Sequence, residues 1–258
     1  MDLGLRDRSC LVTGASRGIG LATARGLAAE GARVLLAARG EEALAAAAAE
    51  LDGADHLALD VTAPEAAERL LERAGGHIDV LVNNAGTSQV KSLEALTDAD
   101  FEEQWQLNVI ASLRLMRVCA PAMAERGWGR IVNVASSSGK RPSGTNVAYS
   151  VAKAAELSLS RSFADAYAAR GVLVNAVAPG PVASDLWTGP GGLADQQAEA
   201  KGISREEALE AARARIPLGR LATEDEIAAV IVFLCSERAS NVTGAAWSVD
   251  GGSVPVII

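Results

Sequence analysis

Two residues of this 258-residue chain have the types and spacing to share a proton: Tyr149 and Lys153. Four apart on one helix, they would lie on a common face. A free phenol titrates near ~10, too high to exchange protons readily at neutral pH, and lowering it by about three units requires roughly 4 kcal/mol. One cation at ~4 Å offers about that at an effective dielectric near 20. By itself the spacing is equally that of two solvated helix residues. A second chemical feature is the stretch Ser-Cys-Leu-Val-Thr-Gly-Ala-Ser-Arg-Gly-Ile-Gly from Ser9 to Gly20. A short apolar run breaks into Gly14, Gly18 and Gly20, and a helix-period run starts at Ile19. Strand, glycine turn and helix bring backbone N–H groups and a helix N-terminus against a phosphate. The same letters contain Gly14-Ala-Ser16-Arg-Gly18, the G-x-S-x-G elbow of serine hydrolases. That chemistry needs a histidine after both the nucleophile and the acid, but no histidine follows His77, and Ser16 follows the first strand, so no earlier strand exists to supply the oxyanion-hole loop. The turn therefore reads as a binding turn.

Elements able to hold these residues alternate along the chain. Apolar, β-rich stretches at 9–13, 33–38, 56–60, 78–82, 130–135, 172–177 and 245–249 predict seven strands. Helical patterns cover 19–30, 41–51, 64–74, 98–126, 147–169 and 224–236. Strands that are apolar throughout are buried on both faces, as in a parallel sheet covered by helices on either side. The expected fold is a doubly wound α/β sheet with ligands beyond the carboxyl ends of its strands. No linker divides it, so residues 1–258 read as one domain. Thr62-Ala-Pro-Glu65 and Thr97-Asp-Ala-Asp100 have the pattern of helix caps. The segment 181–217 has no strand and carries two polar helical pieces near 194–201 and 204–215. Such a length inside a compact domain reads as a lid over the substrate, with Leu186, Trp187 and Leu193 as apolar contacts.

Composition excludes several classes. A net charge of −8 opposes nucleic acid or an anionic membrane as a main partner. No uninterrupted run approaches the roughly 18 apolar residues of a membrane span. The charged N-terminus lacks a signal-peptide core, so a cytoplasmic protein is expected. Cys10, Cys119 and Cys235, widely spaced in apolar runs, read as buried reduced thiols. With His56 and His77 the only histidines, no metal site is expected.

Thr13-Gly-x-x-x-Gly-x-Gly20, Asn83-Asn-Ala-Gly86, Asn108, Ser136, Tyr149-x-x-x-Lys153 and Asn175-x-x-x-Pro-Gly180, in that order, resemble the motifs of the short-chain dehydrogenase/reductase family. Leu218-Gly-Arg and Asp250-Gly-Gly252 are similar too, so the likeness spans most of the chain. It implies a seven-stranded Rossmann fold and hydride transfer between nicotinamide and a carbonyl carbon. It also implies a catalytic set of Asn108, Ser136, Tyr149 and Lys153. In that set Tyr149 exchanges the proton, Lys153 tunes it, Ser136 donates to the substrate oxygen, and Asn108 holds a water linking the lysine to solvent. Ser136 is preferred over Ser137 and Ser138 because it lies thirteen residues before Tyr149.

The resemblance extends to the cofactor. Gly14, Ser16, Arg17, Gly18, Ile19 and Gly20 belong to the phosphate turn. The first residues of Asn83-Asn-Ala-Gly86 support the adenosine half and brace the core, with Asn83, Ala85 and Gly86 as cofactor contacts, and Asp60 with Val61 meets adenine, unless Asp60 is only a turn residue before Thr62. Tyr149 and Lys153 also touch the cofactor, while Pro179, Gly180, Val182 and Ser184 meet the carboxamide and phosphates; threonine is more usual at the last position. An acid ending the second strand would bind the ribose 2′-hydroxyl, whereas arginine accommodates a 2′-phosphate. Ala37-Ala38-Arg39 offers no acid and one arginine, with Arg17 on the same side. NADP(H) is expected over NAD(H), which stays usable. The expected protein is an NADP(H)-dependent carbonyl reductase or alcohol dehydrogenase, similar to the 3-oxoacyl-carrier-protein reductase branch. An NAD-dependent polyol dehydrogenase and a non-catalytic NADP-binding sensor or scaffold are the alternatives. The family further implies a homotetramer or homodimer, with the 98–126 and 147–169 helices at one interface. Lys140-Arg141 stands as a suggestive but ordinary pair of cations for docking an acyl carrier.

Overall fold

Central strands buried almost end to end impose the architecture of the computed structural model, which describes residues 2–255. The strands are β1 (Ser9–Thr13), β2 (Arg33–Ala38), β3 (Asp55–Ala58), β4 (Val80–Asn83), β5 (Gly129–Val134), β6 (Val172–Pro179) and β7 (Ala246–Val249). All pair in parallel, in the order β3-β2-β1-β4-β5-β6-β7. Successive side chains of a strand point to opposite faces. Cys10 and Val12 accordingly enter one core with Leu27, Leu44 and Ile227, while Leu11 enters the other with Leu70, Met116 and Ile131. The edge strands β3 and β7 are the ones with no fully buried residue.

In chain order the helices are α1 (Gly18–Ala29), α2 (Glu41–Ala49), α3 (Ala66–Arg73), α4 (Asp98–Trp105), α5 (Ala111–Glu125), α6 (Ser137–Lys140), α7 (Val147–Tyr167), α8 (Asp185–Thr188), α9 (Leu193–Lys201), α10 (Arg205–Arg213) and α11 (Glu224–Cys235). The cap expected at Thr97 forms, with Asp100 completing the reciprocal box. The one expected at Thr62 does not: α3 begins at Ala66 without a side-chain cap. The Asp60 carboxylate instead accepts from the Thr62 amide at 2.9 Å and from its hydroxyl at 2.7 Å, folding the segment into an Asx turn. Strand edges shift for related reasons. Asp79 is held at the foot of β4, where its carboxylate accepts from the Ser9 amide at 3.1 Å, and the regular strand starts one residue later.

Residues 98–125 form one helical run, with a π-helical segment at Gln106–Ile110 between α4 and α5. The run is long and apolar enough to cross a membrane by length and composition, with a mean hydropathy of 1.3 over its best window; 56% of that window is buried inside the domain. That is the condition of a core helix. The three cysteines are free and buried, and burial pushes the Cys119 and Cys235 thiols up to about 12. Because β1 has β2 on one side and β4 on the other, the strand order reverses there and a cleft opens above the carboxyl ends of β1 and β4.

Candidate active site

The glycine turn leaves β1 and enters α1 with Gly14 and Gly18 in left-handed conformations, at φ of 64° each. Gly20 admits no larger residue, since an added Cβ would stand 2.4 Å from the Gly14 carbonyl oxygen and 2.5 Å from Asn84 Nδ2. Asn84 ties the turn to β4: its side-chain amide donates to the Thr13 and Gly14 carbonyls at 2.9 and 3.2 Å. In return Thr13 Oγ1 accepts from the Asn84 and Ala85 amides at 3.0 Å each. No side chain caps α1, so its first amides are left for an anion.

Above these ends lies a cavity of about 960 Å³. One end is bordered by Gly14, Arg17, Gly18, Ile19 and Arg39, the other by Ser136, Tyr149 and Lys153; Gly86, Pro179, Gly180, Val182 and Ser184 lie on its wall. A smaller hollow, bordered by Asp2, Arg8 and Asp79, sits at the opposite, amino ends of the strands. The turn residues Ser16 and Gly20 do not line it, nor do Asp60, Val61, Asn83, Ala85 and Asn108. Of these, Asp60 holds its Asx turn; Thr62 and the charge of Arg39 keep its carboxyl below the usual range. Asn83 donates to Asn133 Oδ1 at 2.7 Å, bracing β4 against β5. The adjacent Asn84, which the sequence reading passed over, is the amide that meets the cavity. Arg17 is not a free cation, because its guanidinium pairs with Asp185 at 3.2 Å, although both side chains are mostly exposed. Such a pair is weak and separable. Lys140 donates to the Ala246 carbonyl and Ser248 hydroxyl, anchoring α6 to β7, which leaves only Arg141 of the Lys140-Arg141 pair on the cavity. The glycine cradle, the uncapped helix and the missing acid at the end of β2 together fit a phosphorylated dinucleotide.

At the other end, Ser136 follows β5 and caps α6, its oxygen accepting from the Ser138 amide at 3.1 Å. The hydroxyl hydrogen is thereby left for another acceptor. Tyr149 is half-buried in the first turn of α7, and Lys153 lies one turn further, 3% exposed. Lys153 Nζ lies 5.7 Å from the Tyr149 ring centroid and donates to the Val134 carbonyl and to Glu156 Oε2, both at 2.8 Å. Burial disfavours its ammonium, but the attraction of Glu156, then of Tyr149, outweighs this and holds Lys153 above the ordinary lysine range. Burial likewise lifts the Glu156 carboxyl, against the pull of Lys153. Asn108 lies in the π-helical segment, fully buried, and donates to the Gln104 carbonyl and side chain at 3.0 Å each. Its Oδ1 has no protein partner and aims at Gly86, where an added Cβ would be 3.1 Å from that oxygen and 3.7 Å from Lys153 Nζ. A π bulge re-aims a helix residue in this way, and such bulges occur frequently at functional sites. Sequence reading missed Glu156, whose signal was an acid three residues after Lys153 on a helix face otherwise built of small residues such as Ala152, Ser160 and Ala164.

A family model described as enoyl-(acyl carrier protein) reductase matches residues 14–253. The chain is 36% identical to the 3-oxoacyl-[acyl-carrier-protein] reductase FabG of Escherichia coli, covering 97% of this chain and 98% of that one. Among solved structures it is similar to L-sorbose reductase from Gluconobacter frateurii complexed with NADPH and L-sorbose, at a TM-score of 0.91 and 34% identity over the whole of both chains. An actinorhodin polyketide ketoreductase with NADPH matches at a TM-score of 0.90 and 35% identity, over 97% of this chain and 98% of that one.

Proposed function

The chain belongs to the short-chain dehydrogenase/reductase family, and from that premise we propose an NADP(H)-dependent oxidoreductase that interconverts a carbonyl and a secondary alcohol. The observation that carries this reading is a single cavity with a phosphate-type glycine turn at one end and Ser136, Tyr149 and Lys153 at the other. NADP(H), when bound, supplies or accepts the hydride. Ser136 donates its hydroxyl hydrogen to the substrate oxygen and stabilises the negative charge that develops there. Tyr149 delivers the proton in reduction and removes it in oxidation. Lys153 favours the phenolate through its charge, and Asn108 Oδ1 accepts from a water that connects Lys153 to solvent. The alternative of a non-catalytic sensor has no support in a site that retains all four residues. A 3-oxoacyl thioester is the first substrate class to test, on the likeness to the carrier-protein reductase. A ketose or polyol is the second, on the likeness to L-sorbose reductase. Following NADPH absorbance with panels of both classes tests the reading, and no consumption with any carbonyl overturns it.

Preference for NADP(H) rests on Arg39, an exposed arginine on the cavity where an acid would repel a 2′-phosphate. Arg39→Ala is expected to weaken NADPH binding by about tenfold, the scale of one charge-assisted contact, and to leave NADH binding unchanged. Fluorescence titration checks this, and equal wild-type turnover with the two cofactors overturns the preference.

Residues 181–217 serve as a lid: Leu186, Trp187, Leu193 and Ile216 reach the cavity, and the Arg17–Asp185 pair links α8 to the glycine turn. We assign the protein to the cytoplasm, in keeping with its three free thiols. It is also expected to be a homotetramer, with a homodimer as the smaller assembly of the same face. Phe101 and Trp105 on α4 and Val151 on α7 are large apolar side chains left exposed on packed helices of the expected interface. Light scattering that gives a monomer overturns that assembly.

A further inference from the structure

We propose that Glu156 is the counter-ion of the catalytic couple, and that its buried carboxylate, 2.8 Å from Lys153 Nζ, sets the pH range in which Tyr149 and Lys153 exchange their proton. The inference rests on the roles given to Tyr149 and Lys153 above and assigns Glu156 as a positioning residue, one that acts through the lysine.

The carboxylate is 1% exposed. A carboxylate there is costly to desolvate, and core packing alone calls for an apolar residue. Its hydrogen bonds are directed: Oε2 accepts from Lys153, and Oε1 faces the Ser112 hydroxyl of α5 at 3.5 Å. With the Val134 carbonyl as second acceptor, two of the three ammonium hydrogens are fixed, and the third is left toward the cavity that Lys153 borders. The elements packed against this turn of α7 bring Ser112 from α5, the Val134 carbonyl from β5 and Asn108 from the π-helical segment, all uncharged. Among the described residues, the titratable group that acts on Glu156 is thus Lys153 of its own helix, and Tyr149 acts in turn on Lys153.

Tyrosinate beside lysinium and tyrosine beside neutral lysine hold the same number of protons. The ionisations therefore belong to the couple rather than to either residue. A fixed negative charge beside the couple opposes proton loss from both members, so removing it moves both ionisations to lower pH. At an effective dielectric near 20, the displacement is roughly one pH unit or more. Glutamine keeps the acceptor for Lys153 and deletes only the charge.

The test compares pH–rate profiles of wild type and Glu156→Gln in both reaction directions, with circular dichroism to verify folding. It is paired with a ¹³C NMR pH titration of the glutamate side-chain carboxyls in the wild-type protein. Both limbs of the Glu156→Gln profile are expected about one unit or more to the acid side, and every wild-type glutamate is expected to be ionised above pH 7. Unmoved limbs in a folded, active variant overturn the proposal. So does a neutral glutamate carboxyl persisting above pH 7, a readout that decides the matter even if Glu156→Gln fails to fold. Glu156→Asp retains the charge and should retain wild-type limbs. A wild-type protein inactive on every carbonyl would instead overturn the proposed function, with the state of Glu156 still read by NMR.

Discussion

Tyr149→Phe will lower turnover of NADPH with the best carbonyl substrate by about 10³-fold, within the usual range for removing a positioned general acid. NADPH affinity is expected to change by less than about twofold, because the substitution retains the ring and leaves the glycine turn and Arg39 untouched at the far end of the cavity. The phenol is the group placed to deliver a proton, with Lys153 Nζ at 5.7 Å from its ring. Ser136 has its hydroxyl hydrogen available, but a serine hydroxyl can stabilise the developing charge without being acidic enough to neutralise it. Stopped-flow absorbance separates the outcomes. Intact binding with lost hydride transfer supports the assignment, whereas turnover within tenfold of wild type removes Tyr149 from the proton step. Melting temperature should stay near the wild-type value, so that loss of rate cannot be traced to loss of fold.

What was legible in the sequence, and what was not, divides along the range of the interaction responsible. β1, β2 and α1 follow from local patterns: apolar runs too continuous for a one-faced sheet, and glycines that relieve a turn. Ser136, Tyr149 and Lys153 could be named from spacing and resemblance because they stand at a strand end or one helical turn apart, whereas Asn108 could be named from the resemblance alone. Pairings between distant segments carry no local signature. Arg17 reads as a free cation until Asp185, 168 residues away, is brought beside it. Thr62 reads as a cap, yet Asp60 competes for the same hydroxyl and amide at shorter range, and the local turn wins. Asn83 and Asn84 cannot be told apart as letters; the alternation of β4 sends one to Asn133 in the core and the other to the glycine turn. The π-helical offset that aims Asn108 at Gly86 is equally invisible, since its residues suit an ordinary helix.

Lys153→Met is expected to have the largest combined effect, because Lys153 is both the proposed partner of Tyr149 and one member of a buried ion pair. Activity should fall at least as far as in Tyr149→Phe, since the phenol loses the cation that lies 5.7 Å from its ring. Stability should fall by about 3–5 kcal/mol at pH 7, the usual result of leaving one member of a buried pair behind. Here the residue left behind is Glu156, with its side chain 2% exposed. The sign with pH follows from its protonation. Without lysine, burial raises the folded-state pKa of Glu156 above its unfolded value near ~4.3. Stability is then retained below that value and lost as pH rises through the folded pKa, so the deficit relative to wild type narrows toward pH 4. The double variant Lys153→Met/Glu156→Leu removes both charges from the core and should recover most of the stability without recovering activity. Urea denaturation at pH 4 and pH 7 reads all of this from three proteins. If the double variant is no more stable than Lys153→Met at pH 7, the loss lies in the packing of the lysine stem. If the single variant's deficit is constant with pH, Glu156 was never charged.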